Sequence, residues 1–359
     1  MSIDQLRISH FRNIASAQLD LSDRLNLVSG PNASGKSSLI EAVYVLSRAR
    51  SFRSARLNRV IQNQHQAATV FCRLSAEAAH DRVALTIEKG RTVAKLDGTT
   101  VPRLSDLAKA FPVQLLTPRS YRLLSSGPKN RRRLIHWGLF HVEPRFLSVY
   151  KRYMTTLAQR NAALKRRIAR KEFPVWDHLL SELAAQIRQF SQVYFSGLEP
   201  CLSSTTKALL PGHEIQLEFL PGWEADRPLA DVLREELDKD LERGYTRKGS
   251  HRADIKIRLD GQAIDDYGSN GQQKLFVFAF MKAQADYYAS RLQCSPLMLL
   301  DDFASELDHT NQARLIRLLN QPGVQSISTS LEPDVPHAML SEARMFHVER
   351  GVFHVEHSG

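Results

Sequence analysis

Cysteine is scarce. Cys72, Cys201 and Cys294 lie far apart with no Cys-x-x-Cys spacing, which argues against a disulfide framework or a thiolate zinc site and leaves them as small buried hydrophobes. Long apolar runs are missing too. No stretch approaches the roughly 20 consecutive apolar residues of a membrane span, and Met1-Ser-Ile-Asp-Gln has neither the basic start nor the apolar core of a signal peptide. The expectation is a soluble, cytoplasmic protein with no membrane partner. Sustained heptads, longer repeats and low-complexity tracts are also absent. Acid is in short supply: 38 Asp and Glu face 49 Lys and Arg, a net charge of +11.

That imbalance is local. Residues 121–170 hold thirteen Lys or Arg against one acid, Glu143, whereas residues 171–248 hold fourteen acids against nine bases. A basic excess confined to one segment points to a polyanionic or acidic partner, the alternative being a solvated helix face. Arg131, Arg132 and Arg133, with Lys165, Arg166 and Arg167, are the candidate DNA-contacting residues. At 359 residues the chain exceeds one ordinary core, so a main domain with a second lobe is expected.

The stretch that organises the rest is 25–46. Leu-Asn-Leu-Val-Ser runs into Gly30-Pro31-Asn32-Ala33-Ser34-Gly35-Lys36-Ser37-Ser38 and then into an apolar-striped segment, which reads as strand, glycine turn, helix. The pattern G-x-x-x-x-G-K-[ST] arises by accident in about one chain in a hundred of this length, and its flanking strand and helix make nucleotide binding the working conclusion. The glycines let the backbone wrap a polyphosphate, Lys36 reaches the β- and γ-phosphates, and the Ser37 hydroxyl holds Mg²⁺.

Before this loop, residues 3–14 and 17–21 alternate as half-buried strands; after it, 67–100 carries further alternating runs that predict a second β layer. Arg48, Arg50 and Arg53 could favour a helix C-terminus or contact phosphates. Gln114, in an apolar strand, could sense Mg²⁺ or be an ordinary side chain. Residues 131–170 and 176–198 have helical period, 254–261 returns to strand, and a long apolar-faced helix covers 275–287. Leu-Met-Leu-Leu-Asp301-Asp302 is a buried strand ending in two acids, the complement that a Mg²⁺–nucleotide site needs. Residues 345–356 read as a β-hairpin about Gly351, with His347 and His354 as strand residues.

The phosphate loop, the turn Ser269-Asn270-Gly271-Gln272-Gln273 and the strand ending in Asp301-Asp302 together resemble an ABC-type ATPase head. By that resemblance Asp301 holds Mg²⁺, and Asp302 positions the attacking water, with Lys36 assisting. Ser305 and Asp308 form the D-loop. The signature turn, 269–273, caps the γ-phosphate bound by a second subunit, so that ATP drives a two-fold dimer. Asp302 stands where the wider family commonly has Glu. The implied fold class is α/β: a head built from residues 1–120 and 251–359, with a mainly helical basic lobe, 121–250, inserted.

The 233-residue separation of Lys36 and Ser269 exceeds that of a transporter ATPase and falls far short of that of a coiled-coil SMC protein. With Phe11-Arg-Asn, Ala49-Arg-Ser-Phe-Arg, Arg131-Arg-Arg-Leu-Ile-His-Trp-Gly, Gln159-Arg-Asn-Ala-Ala-Leu, His251-Arg-Ala-Asp, Gly271-Gln-Gln-Lys and Leu300-Asp-Asp-Phe-Ala-Ser-Glu-Leu-Asp, the chain closely resembles the RecF family. The resemblance implies a weak ATPase of recombinational repair and replication restart that binds gapped DNA, works with RecR and RecO and helps load RecA. Asn270 and Ser250 depart from residues common in that family. The rival readings are a transport ATPase subunit, disfavoured by the basic lobe, and a P-loop small-molecule phosphotransferase, which needs no signature turn.

Overall fold

The computed structural model describes residues 1–302, 307–330 and 343–356 and divides into two compact units, 1–120 with 288–359 and 121–287.

The first unit has three layers. Its mixed sheet has the order Val352–Glu356, Arg344–Glu349, Leu25–Ser29, Ser326–Thr329, Leu297–Leu300, Val113–Leu116, parallel throughout except for the terminal hairpin. Leu297–Leu300 is buried at every position, as a strand covered on both faces must be. The second sheet is antiparallel, in the order Ile14–Asp20, Ile3–Phe11, Ala67–Leu74, Arg82–Glu88, Arg91–Leu96, Thr99–Thr100, and buries alternate residues such as Val83, Leu85 and Ile87.

Helix Lys36–Arg48 packs against both sheets. The sequence pattern predicts a single apolar stripe on it. Instead Leu39, Ile40, Ala42, Val43, Val45 and Leu46 are all inaccessible, because the antiparallel sheet covers the face opposite the parallel one. Burying each such Leu, Ile or Val contributes about 1.5–3 kcal/mol, which fixes the phosphate-loop helix firmly between two layers.

The second unit is mainly helical. Helices Pro128–Val142, Phe146–Arg166 and Pro174–Leu209 accompany a small antiparallel sheet of Gln262–Ala263, Asp254–Leu259 and Ile215–Leu220. Residues 251–287, expected with the head, belong here instead. The reason is pairing: Asp254–Leu259 hydrogen-bonds along its length to Ile215–Leu220, for example Ile257 opposite Leu217. Arg160, from the Gln159-Arg-Asn motif, is fully buried and bonds Asp177 Oδ1 at 2.7 Å, Asp240 Oδ2 at 2.7 Å and Thr246 Oγ1 at 2.8 Å. That motif is a clamp inside the lobe. Among the described residues no helix is long and apolar enough to cross a membrane.

Candidate nucleotide site

The buried strand Leu25–Ser29 ends at Gly30, whose φ of 144° suits glycine. A Cβ there would stand 2.3 Å from the backbone oxygen of Val348, so alanine is excluded by space as well as by torsion. Gly35 has φ 129°, and Ala33 between them adopts a left-handed φ of 63°. Neighbouring segments tie the loop in place: Gly351 N–H donates to Ser34 O at 2.6 Å, and Asn13 Nδ2 donates to Ala33 O at 3.2 Å. Ser38 Oγ donates in turn to Asn13 Oδ1 at 2.7 Å. The first internal bond of the following helix runs from Leu39 N–H to Gly35 O, so the amides of Lys36, Ser37 and Ser38 have no acceptor within the helix. Together with the helix dipole they make an anion seat.

Lys36 folds back over this loop, its Nζ donating to Gly30 O at 2.5 Å and Pro31 O at 3.0 Å. Burial lowers its pKa, while the charges of Asp302 and Asp301 act in the opposite direction. Asp301 N–H donates to Leu116 O at 2.8 Å, which continues the parallel ladder and sets the acid at the strand end. Its carboxylate accepts a hydrogen bond from Thr329 Oγ1 at 3.2 Å. Burial raises the Asp301 pKa, opposed by the nearby hydroxyls of Ser37 and Thr329 and by the charge of Arg53. Asp302 follows at a left-handed φ of 51°, its N–H donating to Thr329 Oγ1 at 2.9 Å. One hydroxyl on the adjacent strand thus orients both acids. Thr329 carries little signal in the sequence, where it is one of several polar residues in the stretch Val324-Gln-Ser-Ile-Ser-Thr-Ser.

Ser37 and Asp301 offer hard oxygens close enough for the Ser37 hydroxyl to act on the Asp301 pKa, which fits Mg²⁺, an ion that takes one or two protein ligands and fills its remaining positions with phosphate oxygens and water. No group of three or more His, Cys, Asp or Glu able to hold a metal occurs among the described residues. A cavity of about 1150 Å³ opens over residues 32–38 and Asp302, walled by Arg12, Arg53, Arg59 and residues 61–65. Arg12 is held at that wall by Glu41, a fully buried carboxylate on the loop helix, through bonds of 2.7 and 3.0 Å, with Arg53 3.7 Å from the same acid. Of the two readings of the arginines after the helix, Arg53 thus faces the cavity. Gln114 does not line it; its side chain is buried in the strand beside Met298.

The signature residues lie in the second unit. Ser269 and Gln272 form a reciprocal cap on helix Asn270–Leu292: Ser269 N–H donates to Gln272 Oε1 at 2.9 Å, and Gln272 N–H to Ser269 Oγ at 3.2 Å. Ser269 and Asn270 are exposed, Gly271 is half-buried, and Gln273 is buried with its Nε2 on Gly268 O. Asp308 caps helix His309–Leu319 through Asn311 N–H at 2.8 Å; Ser305 lies outside the described residues.

Two of the candidate DNA-contacting residues need correction. Arg131 bonds Asp254 at 2.7 and 2.9 Å and Asp265 at 3.1 Å, and Arg132 donates to Ala253 O at 2.7 Å, so both are committed inside their own unit. Arg133 is exposed and bonds its neighbour Asn130. Lys165, Arg166 and Arg167 are all exposed at the end of helix Phe146–Arg166.

The family model described as RecF/RecN/SMC N terminal domain matches residues 2–354. A DNA replication and repair protein RecF from Proteus mirabilis is 37% identical over 361 residues, covering 99% of this chain and 100% of its own. The counterpart from Vibrio campbellii is 36% identical over 354 residues, covering 98% and 99%. Among solved structures, the recombination mediator protein RecF-ATPrS in the RecFOR pathway superposes with a TM-score of 0.84 at 22% identity, over 99% of this chain and 98% of that one. An SmcHead bound to the C-winged helix domain of ScpA gives 0.63 at 17% identity, over 99% and 97%. With the phosphate loop, the paired acids and near-complete coverage agreeing, the chain belongs to the RecF family of DNA replication and repair proteins, built on the SMC/ABC-like ATPase head.

Proposed function

We propose that the protein is an ATP-gated DNA-binding protein that dimerises on ATP, hydrolyses it slowly, and acts at gapped DNA with RecR and RecO to help load RecA. The observation that carries the ATP reading is the glycine-strained phosphate loop with Lys36 folded over it, opening on a cavity that Ser37 and Asp302 both line. The loop amides bind the polyphosphate, and Lys36 exchanges the carbonyls of Gly30 and Pro31 for phosphate oxygens. Asp302 holds the attacking water and takes up its proton. Ser37 and Asp301 are the residues that would hold Mg²⁺, which would supply positive charge against the phosphates. The signature residues, 269–273, of one subunit complete the site of the other. Lys165, Arg166 and Arg167 contact DNA phosphates, and the repair role follows that of the RecF relatives.

The test is light scattering, ATP turnover and DNA binding by the full chain with Mg²⁺. Wild type should dimerise and hold gapped DNA with ATP. Lys36→Met should lose nucleotide binding and dimerisation together, and Asp302→Asn should dimerise yet turn over far more slowly. Unchanged ATP affinity in Lys36→Met would refute the site.

A further inference from the structure

We infer that Arg131 is a positioning residue for the signature turn: its guanidinium locks the short helix Ile264–Tyr267 that leads into Ser269, fixing the attitude in which that turn meets a second subunit. The inference rests on the reading that residues 269–273 complete the partner's nucleotide site. Arg131 stands on helix Pro128–Val142 and uses all three of its nitrogens. Nε and Nη2 grip Asp254 at 2.9 and 2.7 Å, while Nη1 donates to Asp265 Oδ2 at 3.1 Å and Leu124 O at 2.7 Å. Such a planar, branched set of bonds cannot be made by lysine.

Asp265 lies in the single turn Ile264–Tyr267, four residues before Ser269. The chain from there to Gln273 has no slack. Gly268 N–H donates to Ile264 O at 3.0 Å, and a Cβ on Gly268 would stand 2.6 Å from that same oxygen. Gln273 Nε2 reaches back to Gly268 O at 2.9 Å, and Ser269 and Gln272 cap each other. A shift at Asp265 therefore passes to Ser269 undamped. A second grip comes from the same segment of chain, where the Lys274 ammonium sits 5.6 Å from the centre of the Tyr121 ring. Residues 121–131 thus hold the turn from both ends of its cap, which accounts for an arginine in a basic cluster being turned inward.

The two carboxylates allow positioning to be separated from stability. Asp254→Asn cuts the tie to strand Asp254–Leu259 and removes the stronger pair of bonds; Asp265→Asn cuts only the tie to the signature side. Full-length variants would be compared for monomer affinity with a fluorescent ATP analogue, for thermal midpoint, and for the dimer dissociation constant with ATP and Mg²⁺. Asp265→Asn should weaken the dimer about tenfold, equivalent to about 1.4 kcal/mol, with monomer nucleotide affinity unchanged. Asp254→Asn should lower the midpoint more and the dimer less. Adding Asp265→Asn to Arg131→Met should weaken the dimer no further than Arg131→Met alone. Wild-type dimerisation by Asp265→Asn, or equal weakening by Asp254→Asn, overturns the assignment. Ser269→Arg separates the two levels. If it fails to dimerise while Asp265→Asn dimerises normally, only the positioning role falls; if it dimerises normally, the signature interface falls and the positioning role with it.

Discussion

Replacing Thr329 by valine removes one oxygen and keeps the shape. That oxygen accepts the Asp302 N–H at 2.9 Å and donates to Asp301 Oδ1 at 3.2 Å, and the residue is 1% exposed. Water cannot stand in for the hydroxyl at so buried a position. An orphaned buried amide costs about 1–3 kcal/mol, and the missing bond to a carboxylate about as much again, so the variant should be destabilised by about 3 kcal/mol. For a unit of this size each kcal/mol moves the midpoint by roughly 2–4 °C, giving a fall of roughly 6–12 °C by calorimetry. Calorimetry is the readout because Trp137, Trp176 and Trp223 all lie in the other unit. Because the same hydroxyl sets the backbone of Asp302, kcat for ATP should drop by about tenfold, the equivalent of about 1.4 kcal/mol of water positioning. Thr329→Ser keeps the oxygen and should recover most of both losses. The reasoning fails if valine is as stable and active as threonine, or if serine is as damaged as valine.

Asp301→Asn tests the burial argument with a definite sign. A carboxyl whose pKa is raised on folding favours the folded state at low pH and opposes it once ionised; the amide should therefore raise the nucleotide-free midpoint at pH 7 while abolishing any gain from Mg²⁺ with ATP. A midpoint lowered by the substitution would contradict this. In the helical unit, burial holds His136 and His251 near 4 against an ordinary 6.5. The unfolded chain then binds protons that the folded one refuses, so stability read by tryptophan emission should be complete above about pH 6.5 and lost as pH falls toward about 4. His251→Gln, which can still bond Tyr153 and Thr246, should flatten that dependence; an unchanged slope would exclude His251 as its source. Reversing Lys165, Arg166 and Arg167 to Glu should weaken all DNA sequences alike and reduce the salt slope by roughly one for each phosphate no longer neutralised. A wild-type slope would move the DNA site elsewhere.

The chemistry carried by contiguous residues is legible in the sequence, because it is dictated locally: two glycines that must take positive φ, a lysine and a serine at fixed offsets, and four apolar residues before two acids. Thr329 and Glu41 escape such reading because each acts on a partner well along the chain, and a lone threonine or glutamate carries no period or motif; Arg12 stands in the Phe11-Arg-Asn motif, but nothing local in the sequence shows its bond to Glu41. Arg131 misleads for the converse reason. Charge counting registers how many cations a segment holds, whereas Asp254 and Asp265, which neutralise this one, lie more than a hundred residues away. The unit boundary falls at 287 rather than 250 because antiparallel pairing with Ile215–Leu220, a long-range choice, decides where Asp254–Leu259 belongs.

The parallel sheet also constrains how the protein is made. Leu25–Ser29, the strand that launches the phosphate loop, is paired on one side with Ser326–Thr329 and on the other with Arg344–Glu349. Both neighbours lie about 300 residues downstream, which at 5–20 residues per second is a wait of roughly 15–60 s on the ribosome. During that interval the strand has two bare edges and an apolar helix with nothing on one face, the condition under which nascent chains aggregate or recruit chaperones. The helical unit, continuous from 121 to 287, is translated before either of those two strands. Folding of the nucleotide site thus waits on strands made about 300 residues after the phosphate loop. Rejoining the termini and opening the chain within the helical unit would shorten these loops, and should speed recovery of nucleotide binding on refolding more than any change to the loop itself.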